Sequence, residues 1–142
     1  MKVQDVVNRK GAEVITIRSD DTVAALVALL SKHNIGAVVI ADEVGRVHGI
    51  ASERDVVRGL AQSGAQILQQ PVSSLMSSDV HTCAPVEDIA TLAERMTTYR
   101  IRHLPVLQEE RLTAIISIGD VVKSRLDQLT EERNQLISYV QG

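Results

Sequence analysis

The feature of the sequence that most constrains its fold is an internal duplication. Residues 14–40, VITIRSDDTVAALVALLSKHNIGAVVI, align at an offset of 66 with residues 80–106, VHTCAPVEDIATLAERMTTYRIRHLPV. After a one-residue deletion the offset becomes 65, and GIASERDVVR at 49–58 aligns with AIISIGDVVK at 114–123. Self-similarity of this kind means that one supersecondary unit is built twice. Each unit has about 60 residues and would bury too little surface alone, so we expect the two halves to share one core.

The hydrophobic pattern predicts the same order of elements in both units. In the first unit a strand, a helix, a two-stranded hairpin and an amphipathic helix are predicted at 14–17, 19–30, 36–41, 47–51 and 52–61. The second unit repeats them at 80–83, 86–98, 103–107, 111–116 and from 118 onward. The predicted fold is α/β in the α+β sense, with two β-α-β-β-α units packed sheet to sheet about a pseudo-two-fold axis and a C-terminal helix.

This pattern divides the chain into a first repeat at 1–63, a linker at 64–71, a second repeat at 72–127 and a C-terminal helical extension at 128–142, within one globular module. The extension continues a helix-spaced apolar stripe through Leu126, Leu129, Leu136 and Val140. Two interpretations of the stripe remain open: the helix folds back on its own domain, or it packs against the same helix of another copy.

Composition excludes several classes of function. Lys and Arg number 15 against 18 Asp and Glu, which leaves no basic surface for nucleic acid or an anionic membrane. Aromatic residues are 1% of the chain, so base stacking is not expected. The single cysteine, Cys83, excludes an internal disulfide, and the longest apolar run, 23–30, is too short to span a bilayer. The first ten residues hold no apolar run of signal-peptide length, and we expect a cytoplasmic protein.

Two short segments occur once in each half and resemble a known repeat. GIASERD and AIISIGD each close the second strand of a hairpin and open a helix, and IRHLPV lies on the preceding strand. Together they resemble the cystathionine-β-synthase-type (CBS) repeat, a tandem pair of which is called a Bateman module. The resemblance covers residues 1 to about 127. It implies a non-catalytic regulatory module that binds AMP, ADP, ATP, NAD or NADH, or S-adenosylmethionine in the clefts between its repeats, and that commonly forms homodimers.

The chemistry of the repeated Ser-x-x-Asp can be argued in two ways. A carboxylate in the first turn of a helix can accept two hydrogen bonds from a ribose diol, while free helix N–H groups attract phosphate. The same spacing also fits a capping box, in which the acid bonds back to the N-cap amide. From spacing alone the two interpretations of Asp55 and Asp120 stay open, and the resemblance favours the ribose contact.

The resemblance implies two clefts. Site A would be formed by Ile50, Ser52, Arg54, Asp55, Gly36 and Ala37, with an adenine wall near Met76, Ser77 and Ser78. Site B would be formed by Ile115, Ser117, Asp120, Arg102 and His103, with Lys10, Gly11 and Ala12 from the first repeat.

Charge distinguishes the two clefts. Arg102 and His103 stand where the first repeat has Gly36 and Ala37, so we expect site B to hold phosphate more strongly. Arg102 as a solvated surface cation and His103 as a hydrogen-bonded strand-edge residue remain alternatives.

Other chemistry is not indicated. The four histidines show no metal-ligand spacing, there is no Gly-rich phosphate loop, and Cys83 aligns with Ile17 as a core residue. We therefore expect an adenine nucleotide as ligand, no metal and no catalysis. The expected partners are the adenosyl ligand, a second copy of the chain and an unidentified protein effector. The alternative is a constitutive interaction module with no nucleotide.

Overall fold

The computed structural model describes residues 1–11 and 13–141. The first half contains α1 (Val3–Lys10), β1 (Thr16–Ile17), α2 (Val23–His33), β2 (Ala37–Ala41), β3 (Val47–Ser52) and α3 (Glu53–Ser63). Two 3₁₀ segments, Gly64–Gln69 and Val72–Ser74, follow α3, and the stretch 64–74 that contains them is called the linker from here on. The second half contains α4 (Ile89–Tyr99), β4 (His103–Gln108), β5 (Arg111–Ser117) and α5 (Ile118–Gln141). The predicted α/β class and its duplicated hairpins are confirmed.

The two sheets are equivalent at their hairpins and differ at the strand that precedes them. In the first sheet β1 runs parallel to β2, and β2 pairs with β3 antiparallel; the second sheet is the antiparallel pair β4–β5. The strand predicted at 80–83 is wrong, because only Cys83 pairs there, in an isolated parallel bridge to Val106. Side chains take up the neighbouring backbone groups: Arg95 donates to the Thr82 carbonyl at 2.7 Å and the Ala84 amide donates to Glu87 at 2.7 Å.

The helix predicted from residue 86 begins at Ile89 instead. The backbone before it pairs with the start of the chain: the Val3 amide donates to the Glu87 carbonyl at 2.9 Å, and the Gln4 amide donates to the Pro85 carbonyl at 3.0 Å. The N-terminus is thereby fixed to the second half rather than to the first.

The core is not one cluster of buried side chains but two: α1 of the first half completes the second cluster, and the linker that follows α3 completes the first. Val3, Val6 and Val7 of α1 pack with the buried residues of α4, β4, β5 and α5. Ile67 and Val72 of the linker pack with those of α2, β2 and β3. Thus α1 covers the second sheet and the linker covers the first, so the second half is completed by a helix of the first half. This exchange places the end of α1 beside the start of α5.

The C-terminal extension is not a separate element. α5 runs without interruption from Ile118 to Gln141, across the boundary predicted at 127/128. Val121 and Ser124 are buried, whereas every described residue from 129 onward is exposed. Residues 129–141 therefore do not fold back on their own domain.

Candidate functional site

The two repeated aspartates lie in the first turns of α3 and α5, in the same geometry. Asp55 Oδ2 accepts from the Ser52 amide at 2.8 Å and from the Ser52 hydroxyl at 3.0 Å. Asp120 Oδ2 accepts from the Ser117 amide at 2.9 Å and from the Ser117 hydroxyl at 3.0 Å. Both motifs are thus capping boxes, as one of the two interpretations predicts. Among the described residues these bonds use Oδ2 only, which leaves Oδ1 of each carboxylate able to accept from a diol.

At Asp120 a cation from the other half joins the carboxylate. Lys10 Nζ lies 2.7 Å from Asp120 Oδ2 and donates to the Ile115 carbonyl at 2.9 Å. Partial burial alone would raise the pKa of Asp120, but the hydrogen bonds from Lys10 and from the Ser117 amide lower it below its ordinary value of 3.8. The carboxylate therefore stays ionised near neutral pH. Four residues assigned to site B, Lys10 from the first half and Ile115, Ser117 and Asp120 from the second, lie together here.

His103 lies at the start of β4, between charged groups of both halves. A Cβ added at Gly36 would lie 3.5 Å from Glu53 Oε1 and 3.7 Å from His103 Cε1, which places the ring beside the first half. Burial lowers the pKa of His103 below 6.5; the carboxylate of Asp120 opposes this shift, and the cation of Lys10 adds to it. The imidazole is therefore mostly neutral at pH 7.

At site A the equivalent edge is closed by the backbone. Ile50 and Ser77 form an antiparallel bridge with two N–H···O bonds of 2.9 Å each. Met76 packs over Gly49, where an added Cβ would lie 2.7 Å from the methionine sulfur. Met76 is the counterpart of Lys10 at the offset of 66. The two equivalent segments therefore bring different groups to the two sites. The segment of the first repeat brings the ammonium of Lys10 to site B, whereas that of the second repeat brings the thioether of Met76 and the paired backbone of Ser77 to site A.

The remaining predicted residues lie around these two centres. The Gly36 carbonyl accepts from the Glu53 amide at 3.0 Å, and the Arg102 carbonyl accepts from the Ile118 amide at 2.8 Å, which ties each hairpin to its helix. Ala37 is buried, whereas Gly11, Arg54, Ser78 and Arg102 are exposed. Ala12 lies outside the described residues.

Two features escaped the sequence analysis. Glu53 faces His103 from the first half, although its position before Arg54 carried no signal. A cavity of about 500 Å³ adjoins Asp55 on the side of the linker, lined by Asp55, Arg58, Gly59, Gln62, Ser63, Gln66, Ile67, Gln70, Ser74 and Leu75. No motif in the sequence signalled it. Its lining runs from α3 through the linker to Leu75, next to the predicted site A wall at Met76.

The described residues offer little for other chemistry. Within residues 1–11 and 13–141 no three His, Cys, Asp or Glu side chains are grouped as a metal site. Burial raises the pKa of the Cys83 thiol to about 12, in agreement with a core position. None of the described helices has the length and apolar character needed to cross a membrane.

Comparison with known proteins agrees with the duplicated fold. The family model for the CBS domain matches twice, over residues 3–62 and 72–127. The CBS domain-containing protein CBSX3, mitochondrial, of Arabidopsis thaliana is 31% identical over 148 residues, which cover 99% of this chain and 72% of that protein.

Solved structures show the same likeness. A CBS-domain containing protein from Agrobacterium tumefaciens is 45% identical with a TM-score of 0.83, covering 87% of this chain and 92% of the other. The CBS domain pair of protein MJ0100, solved in complex with 5′-methylthioadenosine and S-adenosyl-L-methionine, is 26% identical with a TM-score of 0.80, covering 90% and 98%. With two matched domains and these relatives, the chain belongs to the CBS-domain family.

Proposed function

We propose that this chain is a regulatory module that binds an adenosine-bearing ligand, such as AMP, ADP, ATP or a NAD-type dinucleotide, between its two repeats. The observation that carries the proposal is the meeting of Lys10 with Asp120 at the N-terminus of α5. An ionised carboxylate with a free oxygen suits a ribose diol, and an ammonium beside a helix N-terminus suits phosphate. A relative of 26% identity was solved with two adenosine-bearing ligands, which supports the same ligand class here.

Site B is the proposed principal site, with Ile115, Ser117, Asp120, Arg102, His103, Lys10, Gly11 and Ala12 as its residues. Lys10 and the exposed Arg102 supply positive charge there, whereas the equivalent edge of site A is occupied by Met76 and Ser77. We propose that site A, with Ile50, Ser52, Arg54, Asp55, Gly36, Ala37 and Ser78, takes a less highly charged ligand or takes the same ligand more weakly.

The proposed role involves no catalysis and no metal. The lowered pKa of Asp120 makes this carboxylate an acceptor rather than a proton donor at neutral pH. His103, kept neutral by burial, can accept or donate one hydrogen bond to the ligand. Both groups are suited to hold a ligand.

Transmission of the signal follows from where the ligand would lie. A ligand that contacts Lys10 in the first half and Asp120 in the second binds best to one relative arrangement of the halves, and it shifts the population by that difference in affinity. We propose that the module works as a homodimer in the cytoplasm and that a protein effector responds to this shift.

Thermal melting of ligand-free protein tests the proposal. AMP, ADP, ATP, NAD, NADH and S-adenosylmethionine are compared, with GMP and GTP as controls. A ligand at about 100 times its dissociation constant stabilises the folded state by about 2.7 kcal/mol, which is visible as a shift in Tm. The expected result is a shift with adenosine-bearing ligands only. No shift with any of them would contradict the proposal and favour a constitutive interaction module.

A further inference from the structure

The second half of α5 is exposed over its whole described length. Val121 and Ser124 bury the start of the helix, but residues 129–141 are all exposed. At 1.5 Å per residue this segment extends about 20 Å beyond the domain. Helices of this length are marginal in water unless an apolar face is packed. The segment therefore needs something to cover it.

One face of α5 carries an apolar stripe with alternating spacings of four and three residues. Its positions are Val122, Leu126, Leu129, Arg133, Leu136 and Val140. The five apolar side chains among them are 50% to 81% exposed. A period of 3.5 is that of the a and d positions of a coiled coil. At about 100° per residue, the stripe is centred roughly 130° away from the direction of Val121 and Ser124, so it faces away from its own domain.

The stripe is complementary to itself when it is reversed. An antiparallel second copy centred on Glu131 would place Val122 opposite Val140, and Leu126 opposite Leu136. Leu129 would lie opposite Arg133 in the central layer. A two-fold interface requires this kind of self-complementarity. When one residue contacts a second residue of the other copy, the two-fold axis generates the same contact in reverse.

The charged residues favour the antiparallel orientation. In a parallel pair the two Arg133 side chains would meet in one layer and repel each other. In the antiparallel pair they lie in different layers, and Glu132 of one copy lies about 4.5 Å along the axis from Arg133 of the other. Along the axis the order is Arg133, Glu132, Glu132 and Arg133, so the two glutamates, about 3 Å apart axially, are flanked by the two arginines. A second copy of this chain thus matches the apolar stripe, and the antiparallel orientation separates the two arginines and gives each a glutamate of the other copy as a neighbour.

We propose that α5 pairs with α5 of a second copy as an antiparallel coiled coil centred on Glu131. This assigns an interface to the homodimer and rests on that part of the proposed function, but it is independent of nucleotide binding.

Two adjacent single substitutions test the interface, since each adds one negative charge to an exposed position of the full chain. Leu136→Glu places the charge in the stripe, and Gln135→Glu places it on the opposite, polar face. Analytical ultracentrifugation over a concentration series measures dimer dissociation. We expect the wild type and the Gln135→Glu variant to be dimers with similar dissociation constants. The dissociation constant of the Leu136→Glu dimer should be higher by about 100-fold or more.

The other outcomes overturn the inference in distinguishable ways. If Leu136→Glu remains as tightly dimeric as Gln135→Glu, the homodimer stands but its interface is not α5. If the wild type is monomeric at high concentration, the homodimer fails as well, and α5 must serve a different protein. Nucleotide-dependent melting is unaffected in either case.

Cysteine cross-linking tests the orientation. Leu126→Cys and Leu136→Cys proteins are purified separately, mixed, allowed to exchange and oxidised; Cys83 is 4% exposed and does not compete. Antiparallel pairing predicts the mixed disulfide between the two variants. Efficient self-linking of Leu126→Cys, with no mixed product, would show a parallel pair and overturn the proposed geometry.

Discussion

Lys10 Nζ lies 2.7 Å from Asp120 Oδ2, joining the last turn of α1 to the first turn of α5 across 110 residues of sequence. The side chains of Lys10 and Asp120 are 31% and 22% exposed, so the pair lies at the rim of the protein, where a ligand can reach it. Its position depends on the exchange of α1 into the second cluster. The proposed ligand site is therefore a product of the tertiary packing and not of either repeat alone.

Asp120→Asn should weaken binding of adenosine-bearing ligands by about 10- to 100-fold, because a charged hydrogen bond contributes about 1.5 to 3 kcal/mol. It should also lower the free energy of unfolding of the ligand-free protein by about 1 kcal/mol, since the carboxylate caps α5. Calorimetric titration and urea unfolding measure the two effects. Asp55→Asn is the matched control, which loses the equivalent cap while site B stays intact. Equal loss of affinity in both variants would remove the distinction between the sites.

Lys10→Met gives site B the side chain that site A has at the equivalent position. AMP binding should fall about tenfold, whereas binding of adenosine, which carries no phosphate, should change by less than about threefold. Lys2→Met is the control, because Lys2 pairs with Asp88 and its side chain is 55% exposed. An equal decrease for adenosine and AMP would show that Lys10 does not contact phosphate.

Stability should rise with pH through the range just below 6.5 on account of His103. Burial lowers its pKa in the folded state, opposed by Asp120 and Glu53 and aided by Lys10 and Arg102. The unfolded chain then binds more protons than the folded chain between the two pKa values, so stability is lost as the pH falls through this window. Asp120 also has a lowered pKa, but its effect lies below pH 3.8 and does not overlap.

Urea unfolding of the wild type and His103→Gln at pH 5, 6, 7 and 8 measures this contribution. The difference in free energy of unfolding between the two proteins should be constant from pH 7 to 8. Between pH 6.5 and 5 it should change, because the wild type loses stability there as the pH falls and the variant does not. Parallel curves over the whole range would mean that His103 titrates normally in the folded protein.

Gly49→Ala should destabilise the protein by about 1 to 3 kcal/mol. The new Cβ would lie 2.8 Å from the Ser77 carbonyl oxygen, which is backbone and cannot move aside without breaking the bridge to Ile50. Gly119→Ala is the control, because its Cβ meets only the Ser117 hydroxyl, at 3.6 Å, and a helical alanine is favoured over glycine. In thermal melting, Gly49→Ala should lower the Tm and Gly119→Ala should raise it. A neutral Gly49→Ala would mean that Met76 and Ser77 are not held against β3.

The duplication and the hairpins could be predicted because they depend on local pattern. Alternation, turn residues and the repeated Ser-x-x-Asp identify β2, β3, β4, β5 and the starts of α3 and α5 within a residue or two. The hydrophobic pattern could not show that 80–83 is not a strand, because the residues responsible lie outside it. Arg95 donates to the Thr82 carbonyl, and Glu87 accepts from the Ala84 amide directly after the segment. The sequence also could not predict that α1 packs on the second sheet and the linker on the first, because the apolar residues of both segments suit either sheet.

The candidate site was predictable where it repeats and not where it is asymmetric. Asp55 and Asp120 follow from the duplicated motif, and Lys10 was placed opposite Asp120 by the family resemblance. The closure of site A by Ser77 and the approach of Glu53 to His103 depend on how strand edges meet in three dimensions. The spacing of residues along the chain does not predict these tertiary contacts.

The exchange of α1 also imposes an order on biosynthesis. Its apolar side chains Val3, Val6 and Val7 belong to a cluster whose last member, Val121, is made near the end of the chain. At about 5 to 20 residues per second, the ribosome needs roughly 6 to 23 s to synthesise the residues between Val7 and Val121. The linker, by contrast, emerges directly after the sheet that it covers. The first half can thus assemble while the chain is still growing, and the first helix to be synthesised is among the last to be buried.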